Sequence, residues 1–381
     1  MESKFAFLLH IGIILLAANI GGIISKRFKQ PAVLGQILAG LVLGMGIIEK
    51  TDTISHLAEI GVIFLMFIAG LETDVNELKA SGKSSSMIAL GGVVTPFLLV
   101  AGGIYFVTGN MLSSIFMGVI ATATSVSISV QTLREIGKMR SKQGIGILGA
   151  AIIDDVIGIV LLTVIIGLVK PGANSGLFLV VGKIVIFFIL TFILGYILIK
   201  ILAKISKSIN IEDSIVVYAI IFCFILAYFS EELGVAAITG AYFAGVVFSM
   251  TSHRHKLSHE VNKISSVMFT PIFFVAIGLG VDIKSAIGAF SIGIILVVLG
   301  ALGKVIGCGF GAKISGFEGK EALQVGIGMV PRAEVAIIIA NLGVAMDVIS
   351  KQQLAAVIMM VLITTLITPS LLKWSFSRAE A

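Results

Sequence analysis

Charge is what this chain is short of. Asp, Glu, Lys and Arg make up 13% of its 381 residues, against about 25% in soluble domains. In their place, 57% of the residues are hydrophobic and the mean hydropathy is +1.12. A soluble globular domain is excluded, because so few charges cannot cover a water-facing surface. Cysteine is also scarce: Cys223 and Cys308 stand far apart in apolar runs, which excludes a disulfide framework and a cysteine metal motif. Uninterrupted apolar segments recur from end to end, so helical spans are expected rather than the alternating strands of an outer-membrane barrel. The first of them, "FAFLLHIGIILLAANIGGIIS", is too long for a signal-peptide core, lacks an A-x-A site and is followed rather than preceded by "KRFK". It is expected to be a retained span.

Apolar runs between charged or Gly/Pro-marked breaks predict thirteen transmembrane helices, near 5–25, 31–48, 54–71, 84–108, 111–133, 143–169, 177–199, 214–230, 234–251, 264–281, 287–312, 321–341 and 352–372. Alternate loops of this scheme and the C-terminal tail carry 19 of the 27 Lys and Arg. The positive-inside rule then places the N-terminus outside and the C-terminus in the cytoplasm. The net charge of +6 reads as a topology signal, so no nucleic-acid partner is expected.

Short motifs recur at a near-constant distance. "GQILAG" (35–40) returns as "GAYFAG" (240–245), "GLETDV" (70–75) as "GLGVDI" (278–283), and "SKQ" at Ser141 again at Ser350. These offsets correspond to seven helices. A first repeat of about 5–169 therefore maps onto a second of about 214–372, with 177–199 as the connecting helix. Seven is odd, so the two six-helix copies are inverted, an arrangement that secondary transporters use around a site at the membrane midplane.

Two spans invite a break at that depth. In "GIGMVPRAEVA", Pro331 removes a backbone donor mid-helix. Its repeat mate is "ATATSVSIS", where Thr122, Thr124, Ser125, Ser127 and Ser129 crowd five hydroxyls that can satisfy an unwound backbone or bind a cation. Deep charges remain nearby. Asp154 and Asp155 are the only charged residues between Gly144 and Val169, Lys304 is mid-span, and Arg332 and Glu334 flank the expected break. An Asp at a helix centre costs about 2.5–3.5 kcal/mol to insert, so intramembrane acids mark function and need partners. Neighbouring helix residues project about 100° apart. One Asp can thus line a cavity while the other meets a neighbouring helix, with Lys304 the natural partner for one of them. Arg332 and Glu334 are expected to pin the break by a local ion pair or by contacts to other helices. A buried carboxylate not neutralised in this way holds a proton or a hard monovalent cation, never both. That competition suffices for antiport if only loaded forms switch sides, and no enzyme activity or cofactor is implied.

The stretches "FLMFIAGLE" (64–72), "TATS" (122–125), "AIIDDVIG" (151–158), Lys304 and "PRAEVA" (331–336) resemble those of the bacterial NapA-type sodium/proton antiporters of the monovalent cation:proton antiporter-2 family, over nearly the whole chain. The resemblance implies two broken helices crossing in a core built from helices near 84–169 and 287–372, with the rest forming a dimerisation domain of a homodimer in the inner membrane. It implies Asp155 as the principal Na⁺ (or Li⁺) and proton carboxylate, Asp154 as the Lys304 partner, and Thr124 and Ser125 as oxygen ligands. Pro331, Arg332, Glu334 and Glu72 become structural elements around the site. Exchange is expected to be electrogenic, with Asp155 and Lys304 each releasing a proton per sodium. Related electroneutral exchangers carry Asn-Asp and potassium effluxers Gln-Asp where this chain has Asp154-Asp155. That difference and the short tail favour sodium over a potassium/proton antiporter. A cation channel or non-transporting scaffold is the alternative of another class. "HRHKLSH" places His253, His255 and His259 in a loop, expected to be solvated and topology-setting rather than a pH sensor.

Overall fold

The computed structural model describes residues 5–169, 176–205, 214–281 and 289–377, and all regular structure among them is helical. In chain order the helices are α1 (Ala6–Arg27), α2 (Ala32–Gly44), α3 (Asp52–Glu72), α4 (Val75–Thr108), α5 (Met111–Thr122), α6 (Val126–Glu135), α7 (Lys142–Val169), α8 (Gly176–Ile205), α9 (Ile215–Glu232), α10 (Ala237–Ser249) and α11 (Arg254–Ile264). A π-helical turn (Ser265–Phe269) then leads into α12 (Thr270–Leu279), followed by α13 (Phe290–Ile314), α14 (Gly319–Gly328), α15 (Glu334–Ala345) and α16 (Lys351–Ser377). Among the described residues, nine spans are long and apolar enough to cross a membrane, and shorter apolar helices lie at Ala32–Gly44, Ala237–Ser249 and Val335–Ala345.

Two expected spans are interrupted. The range 111–133 stops at Thr122 and resumes at Val126, and the range 321–341 stops at Gly328 and resumes at Glu334. Ala123 and Ser125 are extended (ψ 134° and 101°), and Ala333 stands at φ −146°. Two other segments differ from expectation. α4 begins nine residues before the apolar run, carrying "VNELKASGK" as a polar first stretch. "HRHKLSH" is not a loop: His255 and His259 lie within α11. The spacing of Leu257 and Val261, both fully buried, gives that segment one apolar face at helical period, which outweighs its charge.

The chain divides into two compact units: the described residues of Met1–Ser55, Ser81–Gly158 and Pro271–Ala381 in the first, and those of His56–Ala80 and Ile159–Thr270 in the second. Close backbone crossings at glycine hold each together. In the first unit a Cβ on Gly278 would lie 2.3 Å from the Ile37 carbonyl oxygen and 2.8 Å from the Gly40 carbonyl carbon. In the second, a Cβ on Gly245 would lie 2.1 Å from the Phe67 oxygen and 2.9 Å from Gly70 Cα. Only glycine permits either approach. The second unit also joins the "GLE" end of α3 to its neighbours: the Glu72 carbonyl accepts from Arg254 Nη2 at 3.1 Å, and Tyr242 donates to Thr73 Oγ1 at 3.2 Å.

Candidate functional site

Both interruptions and the buried charges fall in the first unit. The interruptions meet: the Ser125 backbone N–H donates to the Pro331 carbonyl at 2.7 Å, and Ser129 Oγ donates to the Gly328 carbonyl at 2.5 Å. A broken helix at membrane depth leaves orphan carbonyls, each costing about 1–3 kcal/mol if it stays dry and unpaired. The hydroxyl-rich sequence around Thr124 meets part of that demand, with Thr122 Oγ1 also taking the Val119 carbonyl at 2.7 Å.

Arg332 takes much of the remainder. Fully buried, it donates through Nη2 to the Ala121 carbonyl at the end of α5 and to the Gly300 carbonyl of α13, both at 2.9 Å. Its Nη1 donates to the Val330 carbonyl. Its backbone is held by α16: Thr364 Oγ1 accepts from Arg332 N at 3.3 Å, and Thr365 Oγ1 donates to its carbonyl at 2.7 Å. A positive group at the C-terminal end of α5 opposes the negative end of that helix dipole. Of the two arrangements the sequence allowed for Arg332, the contacts described are to carbonyls of other helices and of its own segment. Glu334 opens α15, and its side chain lies outside the described residues.

Asp154 sits inside α7, 3% exposed, against Lys304 of α13, 0% exposed. The ammonium donates to both carboxylate oxygens, at 3.1 Å (Oδ1) and 3.0 Å (Oδ2). Thr124 Oγ1, in the first break, donates to Asp154 Oδ2 at 2.7 Å. One carboxylate therefore ties α7, α13 and the crossing point together. Ser125 Oγ lies 3.1 Å from Ser127 Oγ, both buried. Asp155, the next residue on α7, is partly accessible where Asp154 is buried.

Lys304 reaches this position along a tight seam between α4 and α13. A Cβ on Gly307 would lie 2.0 Å from the Gly91 oxygen, and one on Gly303 2.5 Å from Pro96 Cα. The participation of Ala121, Gly300 and Thr364 was not visible in the sequence, because backbone carbonyls carry no residue signature and hydroxyls in apolar helices are common. Gly300 stands four residues before Lys304, one helical turn away, and that spacing is the one cue that could have pointed to it.

The profile of the family described as "Sodium/hydrogen exchanger, transmembrane" matches residues 13–378. The Na(+)/H(+)-K(+) antiporter GerN of Bacillus cereus is 39% identical over 385 residues, covering 99% of this chain and 98% of the relative. The Na(+)/H(+) antiporter of Enterococcus hirae is 35% identical, covering 97% and 98%. In fold, the chain is similar to the sodium proton antiporter MjNhaP1 of Methanocaldococcus jannaschii, with a TM-score of 0.72 at 18% identity over 99% of this chain and 97% of that one.

Proposed function

This chain belongs to the transmembrane sodium/hydrogen exchanger family, and from that premise we propose how it works as a secondary-active Na⁺/H⁺ antiporter of the cell membrane. The buried Asp154–Lys304 pair at the crossing of two broken helices carries the reading. Sodium and protons contend for the carboxylates of Asp155 and Asp154, with Asp155 the principal carrier. Thr124 and Ser125 supply neutral oxygens. A hydroxyl has one donor and two acceptor lone pairs, so Thr124 can donate to Asp154 and still turn a lone pair to a cation. Sodium at the site competes with the Lys304 ammonium for Asp154. If Asp155 and Lys304 each give up a proton for one sodium, a net charge moves per cycle and exchange is electrogenic. The transported ions are the only small molecules this scheme needs.

Several structural details support the inverted-repeat reading. The Gly40–Gly278 crossing and the Gly70–Gly245 crossing exchange under the motif offsets: Gly40 maps to Gly245 and Gly70 to Gly278. The Gly21–Gly35 contact likewise maps to the contact of Leu226 with Gly240. The two interruptions are mates as well, Ala123 corresponding to Pro331. On this reading the N-terminus is outside, the C-terminus is cytoplasmic, alternating access moves a core around the crossing, and two chains form a homodimer. A potassium/proton exchange is the second reading, favoured by the potassium in the name of the Bacillus cereus relative. The test is flux in proteoliposomes with an internal pH dye. Na⁺ and Li⁺ added outside should move protons against them, with K⁺ less effective and the rate sensitive to membrane potential. Cation flux without proton counterflow would identify a channel instead.

A further inference from the structure

Lys304 has three N–H donors, and Asp154 receives hydrogen bonds from it at two oxygens. If sodium takes Asp154, the lysine needs another acceptor in an apolar seam, since an unpaired amino group there costs several kcal/mol. The α4 sequence leaves one open. Pro96 lies inside α4. Having no N–H, it cannot donate to the carbonyl four residues earlier, and its ring pushes that carbonyl aside. That carbonyl belongs to Gly92. Gly92 also packs close to the lysine head: a Cβ there would lie 3.4 Å from Lys304 Nζ and 2.4 Å from Cys308 Sγ. Gly303, one residue before Lys304, gives the proline its room, as a Cβ on it would lie 2.5 Å from Pro96 Cα. The residue whose carbonyl the proline frees is thus one that the Lys304 side chain packs against.

We propose that Pro96 and Gly92 are positioning residues for exchange: Pro96 keeps the Gly92 carbonyl free as a second resting place for the Lys304 amino group, which moves there when sodium occupies Asp154. Charged or neutral, the amino group still carries N–H donors, so the carbonyl serves it before and after proton release. The glycine is required because a side chain at 92 would fill the space that the amino group crosses. This inference rests on the reading that sodium and Lys304 contend for Asp154.

The test is sodium binding to the purified protein by calorimetry at a fixed alkaline pH, in two backgrounds. Pro96→Ala restores the N–H and lets it take the Gly92 carbonyl, and alanine is smaller than the ring it replaces. In the otherwise wild-type chain this should weaken sodium binding about ten-fold. Pro96→Ser, which adds a second donor able to bond back four residues, should do the same. In a Lys304→Met background, Pro96→Ala should leave sodium binding unchanged, because no N–H donor remains at 304 to need the carbonyl. An equal loss in both backgrounds, or no loss in either, overturns the proposal and leaves Pro96 a simple kink. Lys304→Gln alone reports on the underlying reading: it should tighten sodium binding, and unchanged or weaker binding overturns the competition itself.

Discussion

Removing either member of the Asp154–Lys304 pair should destabilise the protein far more than removing both. The ammonium and carboxylate lie 3.0 Å apart with side chains 0% and 2% exposed. At an effective dielectric constant of about 20, two unit charges at that distance attract by roughly 5–6 kcal/mol. Desolvating the two ions costs several kcal/mol each, so the pair contributes little net stability. Lys304→Gln leaves a buried carboxylate without its counterion, and Asp154→Asn leaves a buried ammonium without its own. Each should cost about 3–5 kcal/mol. The double variant Asp154→Asn/Lys304→Gln puts two neutral amides of similar shape in the same place, and nearly all of the loss should be recovered. The assay is heat challenge of detergent-solubilised protein followed by size-exclusion chromatography. Each single variant should lower the midpoint by on the order of 5–10 °C, and the double should return close to the parent. Additive losses would refute the reasoning, because they would mean the two side chains do not share their charge.

Three further outcomes follow from the same geometry. Thr124→Val removes a charge-assisted hydrogen bond of about 1.5–3 kcal/mol and a neutral oxygen, so the KM for sodium in dye-flux assays should rise at least ten-fold, whereas Thr124→Ser should stay near the parent. Arg332→Lys keeps the charge but loses the planar fork that spans Ala121, Gly300 and Val330; exchange should fall ten-fold or more and the melting midpoint should drop with it. Gly245→Ala places a methyl 2.1 Å from the Phe67 carbonyl oxygen, a clash of backbone that no rotamer relieves, so little monodisperse protein should be recovered, while Gly182→Ala, which meets nothing within 4 Å, should behave as the parent.

The helices were legible because apolar length is a coarse signal that a bilayer enforces. The interruptions were legible for a different reason: Pro331 cannot continue a hydrogen-bond ladder, and hydroxyls at 122–129 are what an unwound segment consumes. Polar helix ends were not. α4 reaches back to Val75 and α11 begins at Arg254, since a helix leaving the membrane keeps its ladder while its side chains turn polar. At the site, helix geometry alone could not say which of two adjacent acids meets Lys304, because 100° of rotation separates them without stating where the neighbour stands. The carbonyl clamp made by Arg332 was hidden for a related reason. A buried arginine invites the search for an acid, yet the groups it meets here are backbone oxygens, two of them at the breaks (Ala121 and Val330) and one in α13 (Gly300).

The central claim is that one α7 carboxylate carries sodium and protons by turns, and the most direct measurement is sodium-driven proton movement by Asp155→Asn in proteoliposomes, beside the parent protein at matched reconstitution. The amide keeps the shape and loses the titratable charge. No sodium-dependent pH change should appear across the working range of the parent, in folded protein that still elutes as the parent does. Full exchange by Asp155→Asn would contradict that claim.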